Sequence, residues 1–331
     1  MSFFHYGLLA GVLFSVTACD DAKEVITIPD TGHQVTVSNQ SLREARKGFS
    51  THIIQKSFTD SGNLVTPPKD VYTLTSYPTK LGKMAAYVTP DPHDGKRHPA
   101  VIWITGGYGG LSDGEFHWQP QPRDNDQSGS AFRKAGLVEM LPSFRGEDNN
   151  PGSYEMFYGE LDDIDAAYDW LAKQPWVDPD RIYLAGHSTG GTRVLLASEY
   201  SDKFRAYFSL GAVPDLKARI EGGEMMVPVP FEKTDDEYRL RSPATFIKSI
   251  KKPTWYFEGG EYYWKAFDNI AAFVKKEKIP LTINKIPNGD HFTIIAPVTE
   301  MIAQKILQDT GTECNISFSK DDLARISSEI E

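Results

Sequence analysis

Between residues 71 and 308, short apolar runs alternate with longer stretches whose apolar positions recur at helical spacing. The runs at 71–75 and 84–88 flank a turn at 80–83 and predict a β-hairpin, because each is rich in residues suited to a pleated surface. The run at 100–105 is apolar throughout and is followed by glycines, the pattern of a strand buried on both faces. Further strands are predicted over 137–140, 182–185, 206–210, 254–257 and 281–286, and helices over 159–173, 191–200, 265–276 and 297–308. Such alternation implies parallel strands joined by crossover helices, so the fold class is α/β with a mostly parallel central sheet flanked by helices.

Three segments fall outside this rhythm. Upstream, Ser41 and Glu44 have the spacing of a capping box, which predicts a short helix running toward Phe49; Gly62, Pro67 and Pro68 then mark a loop. Residues 213–245 carry Gly222-Gly223, Met225-Met226 and the stretch from Val227 to Phe231, where a connection would run above the carboxyl edge of the sheet. They read as a small cap over a site there, or as a surface excursion. Residues 311–331 read as an appended short strand and helix. The resulting division is a leader at 1–19, an N-terminal extension at 20–70, the α/β domain at 71–310 and a C-terminal extension.

The sharpest chemical signal lies where the strand at 182–185 meets the next helix, in Gly186-His187-Ser188-Thr189-Gly190-Gly191. A serine hydroxyl is a weak nucleophile and must be presented on a tight bend where a base can reach it; glycines on both sides let the chain turn that sharply. Ser188 is therefore the candidate nucleophile. In that layout the acid and then the histidine follow the serine along the chain. Of the eight histidines, only His291, in the turn after 281–286, lies downstream of the elbow. The acid position, the turn after 254–257, reads Glu258-Gly259-Gly260-Glu261 and has no aspartate. Glu261 is the first choice and Glu258 the second, with Asp215 and Asp268 behind them; Asp290 is expected to shape the turn that carries His291. The glycine-rich loop 105–110 follows the buried strand, where free backbone N–H groups would hold an oxyanion. Gly107 and Tyr108 are the candidates there, completed by the N–H of Thr189.

Composition narrows the partners. The chain of 331 residues is 40% hydrophobic and 24% charged, with a formal net charge of -10, which argues against nucleic acid as a partner. Its two cysteines, Cys19 and Cys314, form no metal-ligand spacing, and neither a metal nor an organic cofactor is expected. Residues 7–18 form an uncharged apolar run of export-signal length ending in Val16-Thr17-Ala18-Cys19, although residues 1–6 lack Lys and Arg. That ending resembles the lipobox of bacterial lipoproteins, which implies a lipid on Cys19 as the only membrane attachment. Asp20 behind it resembles a signal for retention in the inner membrane of Gram-negative cells, facing the periplasm. A cleaved signal and a soluble periplasmic or secreted protein is the alternative.

A wider resemblance rests on Arg145-Gly146-Glu147, Asp162-Asp163, the stretch from Trp176 to Ile182 leading into the elbow, Ser242-Pro243, Lys252-Pro253 and Gly289-Asp290-His291-Phe292. Together these resemble the catalytic domain of the prolyl oligopeptidase family over about 70–310. The resemblance implies an α/β-hydrolase fold, a Ser-His-acid triad and cleavage of peptides, and it makes Arg145 a structural residue bridging to Asp162 or Asp163. Members of the family usually carry a β-propeller, for which the residues between Cys19 and the first core strand leave no room. The resulting expectation is a serine hydrolase acting on an ester or a short peptide. A carboxylesterase or dienelactone-hydrolase-like enzyme, and an inactive binding protein of the same fold, are the rivals. Oligomeric state is not legible.

Overall fold

The computed structural model describes residues 24–29, 31–56, 64–111, 114–223 and 228–330; the leader with Cys19, and Met225 and Met226, lie outside them. Its strands are β1 (Val25–Thr27), β2 (Gln34–Thr36), β3 (Thr73–Thr79), β4 (Gly82–Val88), β5 (His98–Ile104), β6 (Val138–Pro142), β7 (Val177–His187), β8 (Tyr207–Leu210), β9 (Thr254–Glu258) and β10 (Leu281–Lys285). Strands β3 to β10 form one sheet in the order β10-β9-β8-β7-β5-β6-β4-β3. Pairing is parallel from β10 through β6, while β4 joins β6 and β3 joins β4 antiparallel. The sheet is thus the mostly parallel one that the alternating pattern implies.

Its helices are α1 (Leu42–Ala45), α2 (Ser130–Lys134), α3 (Glu160–Leu171), α4 (Thr189–Tyr200), α5 (Leu216–Glu221), α6 (Asp235–Arg239), α7 (Pro243–Phe246), α8 (Glu261–Glu277), α9 (Ile295–Gln308) and α10 (Lys320–Ile330). Side chains of a strand point alternately to the two faces, so the apolar run of β5 feeds two cores. Ala100, Ile102 and Ile104 join one core with Leu161 and Ile164 of α3 and Val194 of α4. Val101 and Trp103 join the other with Phe132 of α2 and Val298, Ile302 and Ile306 of α9. No helix among the described residues is long and apolar enough to cross a membrane.

The chain leaves β5 toward β6 on one side and returns to β7 on the other, which makes the β5/β7 border a switch point. Crossovers diverge there and open a crevice at the carboxyl ends of the strands, where open α/β sheets bind their ligands. The loops beginning at Thr105 and Ser188 leave the sheet at that place.

Two of the three segments outside the alternation differ from expectation, and the 213–245 segment takes a helical form. The helix predicted to run toward Phe49 stops at Ala45, although Ser41 Oγ does accept the Glu44 N–H at 3.2 Å. The 213–245 segment is helical in α5, α6 and α7, and Leu216, Phe231, Tyr238 and Phe246 sink into the core beside α3 and α4. Between β10 and α10 the C-terminal extension has no strand among the described residues. Its carbonyl groups at Gly311, Thr312 and Glu313 are taken up by the Arg205 guanidinium, so no strand ladder uses them.

The N-terminal extension packs on the domain body. Ile26, Ile28, Val35 and Val37 of the β1–β2 region form a third core with Phe267, Ile270 and Val274 of α8. The segment after β6 is fastened by Arg145, whose Nε and Nη2 reach the two Asp163 oxygens at 2.9 and 2.8 Å, while Nη1 reaches Glu155 at 3.0 Å. Of the two aspartates considered, Asp163 is the partner; Asp162 instead accepts from the Tyr200 hydroxyl. Removing one partner of a buried pair leaves a charge uncompensated. Asp163→Asn is therefore expected to lower the unfolding free energy by about 3 kcal/mol in urea titration. A change within experimental scatter would show that Glu155 alone suffices to hold the guanidinium.

Candidate active site

Strand β7 ends at His187 and α4 begins at Thr189, so Ser188 is the single residue of the bend. Its backbone stands at φ 57 and ψ -115, a conformation non-glycine residues seldom adopt. It is held from both sides: the Ser188 N–H donates to Leu210 O at 2.8 Å, and Ser188 O accepts from Thr192 N at 2.9 Å. Gly190 explains the second glycine of the motif. A Cβ there would lie 2.0 Å from the carbonyl oxygen of Ile104, so helix and β5 can approach this closely only without a side chain.

The 105–111 loop lies beside the elbow. A Cβ at Gly106 would sit 3.1 Å from the Ser188 Cβ, and Thr189 Oγ1 donates to Gly107 O at 2.7 Å. Gly107 takes a left-handed φ of 87. The half-buried Tyr108 ring packs edge-on against Tyr154 at 6.2 Å, and burial pushes its hydroxyl up to about 12. Gly107, Tyr108 and Thr189, named from the sequence as one group, therefore lie in one neighbourhood.

His291 comes in from the loop between β10 and α9. Asp290 shapes that turn as expected, its Oδ1 accepting the N–H groups of Phe292 and Thr293 at 2.8 Å each. The His291 ring stacks obliquely on His187, centroids 4.6 Å apart, and lies against Gly211, where a Cβ would be 2.5 Å from Cε1. Since His187 directly precedes Ser188, fold and loop bring the elbow and this imidazole to one rim of the sheet.

His187 Nε2 lies 2.8 Å from the His291 carbonyl oxygen. Burial first, and the neighbouring His291 ring second, hold His187 down at about 3, so it stays neutral and Nε2 carries the proton donated to that carbonyl. The sequence offered no sign of this brace beyond a histidine inside the elbow.

On the acid side, Glu258 ends β9 and is 1% exposed, with Oε1 3.9 Å from His291 Nδ1. Its carboxylate accepts from the Tyr256 hydroxyl at 2.8 Å and from Gly259 N at 3.0 Å. Glu261 is the first residue of α8; its side chain lies outside the described residues. The two lesser candidates are engaged elsewhere. Asp215 caps α5, accepting Lys217 N at 3.1 Å, and Asp268 pairs with Lys285.

A strand–serine–helix elbow at the switch point of this sheet defines the chain's scaffold as that of the α/β-hydrolases. Residues 129–303, more than half of the chain, match the family described as the prolyl oligopeptidase family, and the chain belongs to it. A curated relative from Bacillus subtilis (strain 168), named uncharacterized peptidase YtmA, is 28% identical over 136 residues, covering 39% of this chain and 53% of the relative. The chain thus spans about half the length of the curated relative it matches. Among solved structures, a puromycin-hydrolyzing peptidase of Mycobacterium tuberculosis superposes with TM-score 0.56 at 19% identity, over 72% of this chain and 39% of that one. The acylaminoacyl peptidase of Pyrococcus horikoshii gives 0.57 at 15%, over 77% and 43%. An esterase of Pyrobaculum calidifontis gives 0.53 at 17%, over 73% and 86%. At such identities the likeness is one of fold.

The depressed His187 has a consequence for stability. Its ordinary value is 6.5 and its folded value about 3, so between these limits the unfolded chain binds a proton that the folded chain refuses. Stability from this residue is complete above the upper limit and is lost as pH falls through the window. His187→Gln keeps an N–H for the His291 carbonyl and does not titrate. Its Tm, followed by calorimetry, should drop less than that of the wild type between about pH 7 and about pH 4; equal drops would contradict the assignment.

Proposed function

We propose that the chain is a serine hydrolase that cleaves an ester or amide bond through an acyl-enzyme on Ser188. The observation carrying this reading is the placement of Ser188 at a left-handed strand-to-helix bend with the His291 ring packed on the adjoining His187. In the first half-reaction the Ser188 hydroxyl oxygen attacks the carbonyl carbon while its proton passes to His291. The carbonyl oxygen becomes negative and is met by the N–H groups of Gly107, Tyr108 and Thr189. Collapse expels the alcohol or amine, which takes the proton from His291; water then repeats the sequence and frees the acid.

The orienting carboxylate comes from the end of β9 or the start of α8. The 3.9 Å separation supports Glu258, and position along the chain supports Glu261. A carboxylate holding the Nδ1 proton fixes the tautomer that leaves Nε2 free to act as base.

Family membership and the peptidase name of the curated relative support peptide or amide substrates. The carboxylesterase reading stands beside it, because peptidases and esterases share this fold. Turnover of p-nitrophenyl esters set against prolyl and alanyl amides separates the two.

A fluorophosphonate probe is expected to label the wild type and not Ser188→Ala, and Ser188→Ala or His291→Ala to lower kcat by about 10⁴-fold or more. Of Glu258→Gln and Glu261→Gln, the variant lacking the true acid should lose about 10³- to 10⁴-fold and the other far less. Equal labelling of wild type and Ser188→Ala would sink the assignment of Ser188, and no labelling of either would leave a binding protein of this fold. Lipid attachment at Cys19 is a separate proposal resting on Val16-Thr17-Ala18-Cys19. Cys19→Ser should move the protein from the membrane pellet to the soluble fraction; unchanged fractionation would refute it.

A further inference from the structure

We propose that Asp148 is a positioning residue that sets the oxyanion loop, an inference resting on the reading that the N–H groups of Gly107 and Tyr108 receive the developing charge. One end of that loop is fixed by the Thr189–Gly107 hydrogen bond. Its other end is fixed by Asp148, whose Oδ2 accepts the Leu111 N–H at 2.6 Å. The same oxygen accepts the Ser143 hydroxyl at 2.6 Å. The carboxylate is pressed against the loop backbone: a Cβ at Gly110 would lie 2.4 Å from Oδ2 and 2.8 Å from Cγ, and Gly110 stands at φ 64. Only glycine fits at position 110, directly before this clamp.

Asp148 is itself anchored rather than adaptable. It is 6% exposed, and both it and Asn149 take left-handed φ values, 47 and 61. Successive left-handed residues outside glycine persist where neighbours over-determine them. Here the neighbours lead to the sheet. Asn150 Nδ2 donates to Ser143 Oγ at 2.7 Å and to Phe144 O at 2.9 Å, while Asn150 Oδ1 accepts the Ala85 N–H of β4 at 3.0 Å. The Ser143 N–H in turn donates to Ala85 O at 2.9 Å. Position therefore passes from β4 through Asn150 and Ser143 to Asp148, and from its carboxylate to Leu111.

Pre-set donors stabilise a transition state because they need not reorganise when charge develops, and a displacement near 1 Å can cost about 100-fold in rate. A clamp on the loop should thus govern kcat while leaving ground-state binding alone. Because the Leu111 N–H and the Ser143 hydroxyl both donate to Oδ2, an amide oxygen can accept both where a methyl group accepts neither.

The test compares Asp148→Ala, Asp148→Asn and Ser143→Ala with wild type on a p-nitrophenyl ester, per active site titrated with the fluorophosphonate and with Tm recorded. It includes inhibition by a boronic acid, whose tetrahedral adduct places an oxygen in the pocket. Asp148→Ala is expected to lose about 100-fold in kcat with KM within about threefold, and its boronate Ki should rise in parallel. Asp148→Asn should recover to within about tenfold of wild type, and Ser143→Ala should lose about three- to tenfold. Unchanged kcat and Ki in folded Asp148→Ala would overturn the inference. If that variant does not fold, unchanged kcat and Ki in both other variants would do the same. Ser188→Ala run alongside separates the two levels: retained turnover there fails the hydrolase reading, whereas a dead Ser188→Ala beside a fully active Asp148→Ala fails this inference alone.

Discussion

Everything at the site depends on how closely α4 approaches β5. With a Cβ at Gly190 only 2.0 Å from the Ile104 carbonyl oxygen, the first turn of the helix and the end of the strand are in backbone contact. Gly191 repeats the arrangement against β8, where a Cβ would lie 2.3 Å from Leu210 O. Three strand ends and one helix start are thereby locked into a single block, with Ser188 at its apex and the 105–111 loop on its flank. Side chains grafted onto this block inherit its precision, which is why the residues of interest come from loops yet do not rely on loop rigidity.

Much of the arrangement could be read from residue order alone. Strand runs such as 100–104 feed two cores and must be apolar at every position, so they stand out without tertiary information. The bend at Ser188 and the approach of His291 to it were legible because glycine spacing marks one, and position after the last strand marks the other. The acid was not, because Glu258 and Glu261 are separated by only two glycines and the choice turns on side-chain direction across a helix start. The extended tail was misread as a strand because sequence cannot show that Arg205 reaches its carbonyl groups. Asp148 was invisible for a similar reason: its contact with Leu111 spans 37 positions and depends on a left-handed backbone.

Two braces of different chemistry flank the proposed reaction centre. A neutral imidazole, His187, holds the main chain of His291 from beneath, while a carboxylate, Asp148, holds the loop opposite. Both act on backbone groups, not on side chains that would touch substrate. Outside them the β1–β2 region and the C-terminal extension add apolar surface to α8 and to the α9 side of the sheet.

Ser188 itself is the least comfortable residue in this block, since φ 57 with ψ -115 suits glycine far better than serine. On the proposed mechanism, stability and turnover therefore pull in opposite directions at one position. A laboratory selection for heat resistance that did not also screen for activity would favour glycine at 188, relaxing the bend by discarding the hydroxyl. Thermostable descendants of this chain obtained in that way would keep the whole scaffold and lose the atom it was shaped to present.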